Sequence, residues 1–327
     1  ELTTVMMPEV TTIGDGAFAG CRELTTVTLQ KVTTIGESAF SHCGGLTSVD
    51  MPEVTTIEES VFFNCNGLTT VTLQQVTTIG KDAFSECGDL TTVTLPEVTT
   101  IGEGAFSDGR RLTTVTLPKV TTIGDKAFYK CSQLTTVTMP IVMEIGDEAF
   151  YNCSKLKNVD LPDVKTIGDE AFSDCSGLKN VRMHGVETIG ASAFSNCSGL
   201  ARVLMWNVTT IGDKAFYKCS GLESVDMWHV KTVGNEAFSG CTSLKRGDIL
   251  VKDDETLSEI YRQLGYDDSY SDENSFSDSD ESSSSDVDER VSSEVDERVS
   301  SDVDESSSYD SDDSYSYGSD DSSSSDF

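Results

Sequence analysis

Apolar residues recur with a period of 22. Leu opens a unit at 2, 24, 46, 68, 90, 112, 134, 156, 178, 200, 222 and 244, with no insertion or deletion across eleven complete units. Within a unit such as LTTVTLPEVTTIGEGAFSD, apolar side chains fall at positions 1, 4, 6, 9, 12, 16 and 17, and usually also at position 20. That spacing matches neither one long helix nor one long strand, so the chain must turn inside every unit. Positions 1 to 6, rich in Thr and Val, predict one short parallel strand whose fourth and sixth residues point inward. Position 7 ends it: Pro8, Pro52, Pro96, Pro118, Pro140 and Pro162 all stand there, where a missing amide hydrogen would break a continuing ladder.

Position 13 is Gly in every complete unit except the third, which has Glu58. The backbone there is expected to need a positive φ or a close approach, and Glu58 is expected to strain that corner. An acidic residue usually follows, as in Gly124-Asp125, and then Ala-Phe, which reads as a capped single helical turn. Phe fills position 17 from Phe18 to Phe238. A residue recurring once per coil stacks on its equivalent at ~4.8 Å, so the rings should form a continuous internal column in a rod roughly 50 Å long.

The pattern LxxVxLPxVxxIGxxAFxxC over residues 1 to about 250 closely resembles the BspA-like (Treponema-type) leucine-rich repeat family. The unit is one residue shorter than is common there, the loss lying between Pro and the following Val, and many copies carry Val where Leu is usual. The resemblance implies a leucine-rich-repeat-like solenoid used for protein recognition, often as a surface adhesin. Periodicity alone implies only the solenoid. The organisation is then 1–243 as eleven repeats, 244–265 as a partial repeat and capping helix, and 266–327 as a separate tail.

All ten Cys, from Cys21 to Cys241, occupy position 20, with Gly109 in the remaining slot. Zinc sites need ligands bunched a few residues apart, and this spacing offers none, so no metal is expected. Neighbouring Cys would lie within disulfide reach, but their parallel side-chain vectors favour buried free thiols acting as small apolar fillers. His42, His184 and His229 are the only histidines, and neither GxSxG nor HExxH occurs. With glycines spread one per coil and no phosphate-cradling loop, neither an enzyme nor a cofactor site is expected.

The net charge of -33 argues against nucleic acid or anionic membranes as partners. No apolar run reaches the roughly 18 residues that a membrane helix needs, so no membrane insertion is expected. The charge is uneven: residues 266–327 hold 22 Asp and Glu, two Arg and 24 Ser, which is -20, leaving -13 on the rest. Such a composition cannot offset ordering entropy, and disorder is expected. Ser277, Ser285, Ser293 and Ser301 each precede an acid by three residues, which suits acidophilic kinases, against the blander reading of a solvating spacer.

Function should enter where the repeats diverge. Thr26/Thr28, Thr70/Thr72, Thr92/Thr94, Thr114/Thr116 and Thr136/Thr138 make a Thr-x-Thr array on the outward face, broken at Ser48/Asp50. Cross-coil hydrogen bonding accounts for it, and an ice-binding lattice is the sharper alternative. From coil eight the same face changes to Asn158/Asp160, Asn180/Arg182, Arg202/Leu204 and Ser224/Asp226, while positions 7 and 8 become His184-Gly185, Trp206-Asn207 and Trp228-His229. Position 7 should lie near the surface, so the two Trp either shield one end of the core or anchor a partner. With Lys179, Arg182 and Arg202 the patch reads as locally basic. The candidate contact surface for a protein partner is therefore Lys179, Arg182, His184, Arg202, Leu204, Trp206, Trp228 and His229. The acidic tail is expected to bind it weakly within the chain.

After Leu244, Thr256 and Glu259 form a capping-box pattern, Leu257, Ile260, Tyr261 and Leu264 make one apolar face, and Gly265 is a helix stop. A helix there would cover the last coil. No comparable cap precedes Leu2, and the sequence looks truncated at that end. Of the sequons at Asn152, Asn196 and Asn207, the first two abut buried Cys, and glycan at Asn207 would place the protein outside the cell. The reading is a non-enzymatic recognition solenoid of the cell surface or a secreted form, against an intracellular scaffold regulated by tail phosphorylation.

Overall fold

The Thr-Val-rich stretch at positions 3 to 5 of each coil is a three-residue strand, from Thr4–Met6 in coil 1 to Ser224–Asp226 in coil 11, with its central Val buried. Successive strands pair in parallel and in register, Val5 opposite Val27 and Val203 opposite Val225. These features come from a computed structural model, which describes residues 2–252 and 254–266. The expected disorder of the acidic tail, its four candidate phosphoserines and its contact with coils 8–11 lie outside the described residues.

The fold is the expected parallel solenoid, with one three-residue strand per coil. Each coil adds a feature that the pattern did not announce. Positions 11 and 12, usually Thr-Ile, form a two-residue parallel strand, from Thr12–Ile13 to Thr232–Val233. The Ala-Phe segment, expected as one helical turn, is built as consecutive tight turns. Ala39, Ser41 and Cys43 donate their amide hydrogens to carbonyls three residues back, while Ser38, Phe40 and His42 donate to Glu59, Val61 and Phe63 of the next coil. A helix would spend all of these amides internally, whereas here half of them join coils. The alternation requires left-handed backbone at positions 15 and 19, as at Ser38 (φ 55°) and His42 (φ 60°).

Position 13 resolves to close approach, since its glycines do not take a positive φ. A Cβ at Gly124 would stand 2.8 Å from the Glu103 nitrogen and from the Gly102 carbonyl carbon in the preceding coil. The position-13 amide donates to the position-12 carbonyl of that coil, as from Gly80 to Ile57 at 2.7 Å and from Gly146 to Ile123 at 2.9 Å. Glu58 makes no such bond to Ile35, and the short-strand sheet is divided there into a two-stranded and a nine-stranded part.

This row of strands divides elsewhere, into seven three-residue strands from coils 1–7 and, from coil 8 onward, four more joined by the two-residue strand Ile249–Leu250. Position-2 amides bond the preceding coil on both sides, Thr135 to Thr113 at 2.9 Å and Lys179 to Lys157 at 2.8 Å, but Lys157 makes no bond to Thr135. The seam coincides with the change of sequence on the outward face. The short strands Glu144–Ile145 and Thr166–Ile167 continue across it.

The core is a set of columns. Phe rings stack without interruption from Phe18 to Phe238; Phe150 and Phe172, for example, lie 5.1 Å apart and 3° from parallel. Burying each ring stabilises the fold by about 1.5–3 kcal/mol relative to leaving it exposed. All ten cysteines are free and all but Cys21 are buried. They are more than fillers, because each buried thiol donates to the Phe carbonyl of the preceding coil, as from Cys65 Sγ to Phe40 at 3.1 Å. Burial pushes the Cys87 and Cys131 thiols up to about 12, so they remain protonated.

The C-terminal helix, Asp254–Gln263, covers the last coil. Its start corrects the expected capping box: Thr256 is inside the helix and buried, while Asp254 and Glu255 supply the negative charge that a first turn favours. Glu259, expected to complete that box, instead pairs with Arg262 at 2.6 Å. Ile260 is fully buried, with Leu257, Tyr261 and Leu264 packed against the core, and Gly265 ends the helix at φ 75°.

Candidate functional site

The outward face of coils 8–11 is built in rows by register. Asn158, Asn180, Arg202 and Ser224 form one row, and Asp160, Arg182, Leu204 and Asp226 form the next. Two positions further on, His184, Trp206 and Trp228 share position 7. The Trp side chains are exposed at 49% and 53%, which settles that position as surface. The His184 and Trp206 rings face each other at 6.3 Å and 28°.

Position 8 fixes the backbone beneath these rings. Asn207 Nδ2 donates to the His184 carbonyl at 2.6 Å, and His229 Nδ1 meets the Trp206 carbonyl at 2.6 Å. In earlier coils position 8 instead carries ion pairs, Lys31 with Glu9 at 2.8 Å and Lys119 with Glu97 at 2.7 Å. Such exposed pairs are worth about 0–1 kcal/mol, so the substitution costs little stability. It gains two aromatic rings held on a fixed backbone, which lowers the ordering cost of binding.

Register changes the electrostatic reading. Lys179, Arg182 and Arg202 are exposed, but Asp160 lies opposite Arg182, and Asp226 and Glu223 close the patch at coil 11. Partial burial lifts the Asp226 carboxyl above its ordinary range, opposed by the Trp228 amide and by the charges of Arg202 and His229. The surface is thus of mixed sign around an aromatic strip. Asp160 and Asp226, which the repeat had placed on this face, were left out of the candidate contact residues, and their carboxylates offset the basic side chains. Ile141 and Met143 of coil 7 are further exposed apolar side chains that sequence reasoning did not single out.

On coils 1–7 the cross-coil hydroxyl bonds among the described side chains are made by positions 2 and 10, the latter as from Thr33 to Thr11 at 3.3 Å, not by the Thr-x-Thr residues to which they were assigned. Thr25 donates to the Thr3 carbonyl at 2.9 Å, and the ladder continues to Thr135 and Thr113. Asp50 at the interruption accepts from Gln30 at 2.8 Å. Among the described residues no cluster of three or more His, Cys, Asp or Glu is arranged to hold a metal, and no helix is long and apolar enough to cross a membrane.

The family model for the BspA type leucine rich repeat region matches residues 1–113 and 121–245 in six copies. A search of curated proteins gave no match. Among solved structures, a leucine-rich repeat protein from Bacteroides ovatus is 26% identical, over 74% of this chain and 86% of its own, with a TM-score of 0.38. A leucine rich cell surface protein from Faecalibacterium prausnitzii is 24% identical over 81% of this chain and 90% of its own, at 0.40. The leucine rich repeat protein of T. pallidum is 26% identical over 61% and 78%, at 0.38.

Proposed function

Because the chain belongs to the BspA-type leucine-rich repeat family, we propose that it is a non-enzymatic recognition protein of the cell surface, binding a protein partner through coils 8–11. The observation that carries this reading is the exposure of Trp206 and Trp228, with the His184 and Trp206 carbonyls pinned by Asn207 and His229. Large aromatic side chains held rigidly are the usual anchors of a protein interface. Lys179, Arg182 and Arg202, alternating with Asp160 and Asp226, supply a polar surround that would orient the partner. Leu204 lies between Arg182 and Asp226 in its row and adds apolar contact. A role as surface adhesin is the finer form of the same reading.

The test is affinity capture of a partner by the full chain, followed by binding of the Trp206→Ala/Trp228→Ala double variant at matched melting temperature. Loss of about tenfold or more in affinity is expected for two such anchors. Undiminished binding of the captured partner would remove the assignment.

A further inference from the structure

The solenoid changes its period once, at its end. Strand residues elsewhere pair with the residue 22 positions on, but Val225 pairs with Ile249 and Asp226 with Leu250, an offset of 24. The two additional residues are taken up between Leu244 and Ile249 by one tight turn, Arg246–Asp248. Its flanks, Lys245 (φ -111°, ψ 161°) and Ile249 (φ -111°, ψ 108°), are extended, so the turn bulges from the strand row. Its sequence is Arg-Gly-Asp, and all three residues are exposed.

Packing does not account for this tripeptide. Gly247 has no positive φ, and a Cβ added there would meet nothing within 4 Å, so any residue would fit. The Asp248 amide closes the turn onto the Lys245 carbonyl at 3.1 Å, but its carboxylate makes no hydrogen bond or ion pair among the described residues. Arg246 is held differently. Its carbonyl accepts the Tyr261 hydroxyl at 3.1 Å, and its guanidinium lies 4.9 Å from the Tyr261 ring and 5.2 Å from the Tyr266 ring. Arg246 is nonetheless exposed, as is Asp248, so both side chains are reached from solvent. The turn is therefore anchored through its backbone, with a carboxylate presented to solvent two residues from a guanidinium.

We propose that Arg246-Gly247-Asp248 is a second recognition element, separate from the aromatic strip. It would be read by an adhesion receptor that takes the Asp248 carboxylate onto a protein-held divalent cation and the guanidinium into an acidic groove. That is the chemistry of integrin-type receptors. A carboxylate oxygen is the ligand such a hard cation prefers, and the extra methylene of Glu would shift that carboxylate relative to the guanidinium.

The experiment is surface binding of the full chain to each of the purified integrin ectodomains that read Arg-Gly-Asp, in Mn2+. Expected are binding abolished by EDTA, competition by a linear Arg-Gly-Asp-Ser peptide, and affinity at least about tenfold weaker for Asp248→Glu. The exposed, unpaired side chain lets that variant keep the parent's melting curve. Trp206→Ala/Trp228→Ala should bind these ectodomains as the parent does, which separates this element from the strip. Absence of Mn2+-dependent binding to every ectodomain, or equal binding by Asp248→Glu, overturns the proposal.

Discussion

Gln263 accepts the amide hydrogen of Phe238 through its side-chain oxygen at 3.1 Å, and its side-chain nitrogen donates to the Gly234 carbonyl at 2.9 Å. In interior coils the Phe amide is served by the next coil's main chain, as Phe216 is by Ala237 at 2.8 Å. One helical side chain thus stands in for an absent coil. Gln263→Ala should leave a part-buried amide unsatisfied and destabilise the terminal coil by about 1–3 kcal/mol. Thermal or urea unfolding followed at the C-terminal end checks this, and an unchanged transition would mean that the bond is dispensable.

Position 13 admits two opposite substitutions. Gly124→Ala would drive a methyl group into the backbone of the preceding coil and should cost about 1–3 kcal/mol. Glu58→Gly should close the gap to Ile35. The restored hydrogen bond, about 1 kcal/mol, is offset by the added chain entropy of glycine, about 0.5–1 kcal/mol, so melting temperature is a poor readout. Amide exchange at residue 58 is the better one, and it should slow.

The Lys157 amide should exchange faster than those of Thr135 and Lys179, because it alone of the three lacks the bond to the preceding coil. Equal protection of all three would show that the seam between coils 7 and 8 is closed in solution.

The thiol column makes the fold sensitive to alkali. Burial raises the thiols of Cys87 and Cys131 from an ordinary 9.0 to about 12. A folded pKa above the unfolded one gives stability that is intact below about pH 9 and lost as pH climbs towards 12. The slope is about 1.4 kcal/mol per thiol per pH unit. Melting temperatures should therefore fall steeply above about pH 9, and less steeply in Cys87→Ala/Cys131→Ala. At neutral pH a bulky thiol reagent should modify Cys21, the one partly exposed cysteine, well before the others.

The columns of Phe, Cys and Leu were legible because a fixed period places identical side chains over one another, and parallel pairing allows no other register. The Thr-Ile strands were not, since two residues are too few to show an alternation. The turns around Ala-Phe have the composition of a capped helix, and only the distribution of amides between coils tells the two apart. Thr256 and Glu259 fit a capping box by spacing, yet burial of Thr256 draws the helix start back to Asp254. At the candidate site, exposure of Trp206 and Trp228 followed from the prolines at the same position, and the repeat also placed Asp160 and Asp226 on the face; what it did not weigh was that Asp160 pairs in register with Arg182 and so offsets its charge. The Arg-Gly-Asp turn escaped notice because it lies where the repeat breaks down.

Position-2 amides donate backwards along the chain, as Lys179 does to Lys157, while turn amides donate forwards, as Phe40 does to Val61. Interior coils away from Glu58 and the seam between coils 7 and 8 therefore show their neighbours the same pair of complementary sockets. Excising or duplicating one whole 22-residue copy rejoins surfaces that already fit. Recombination between copies in the encoding DNA could thus lengthen or shorten such an array in one step, while leaving the divergent coils and the closing helix at its end untouched.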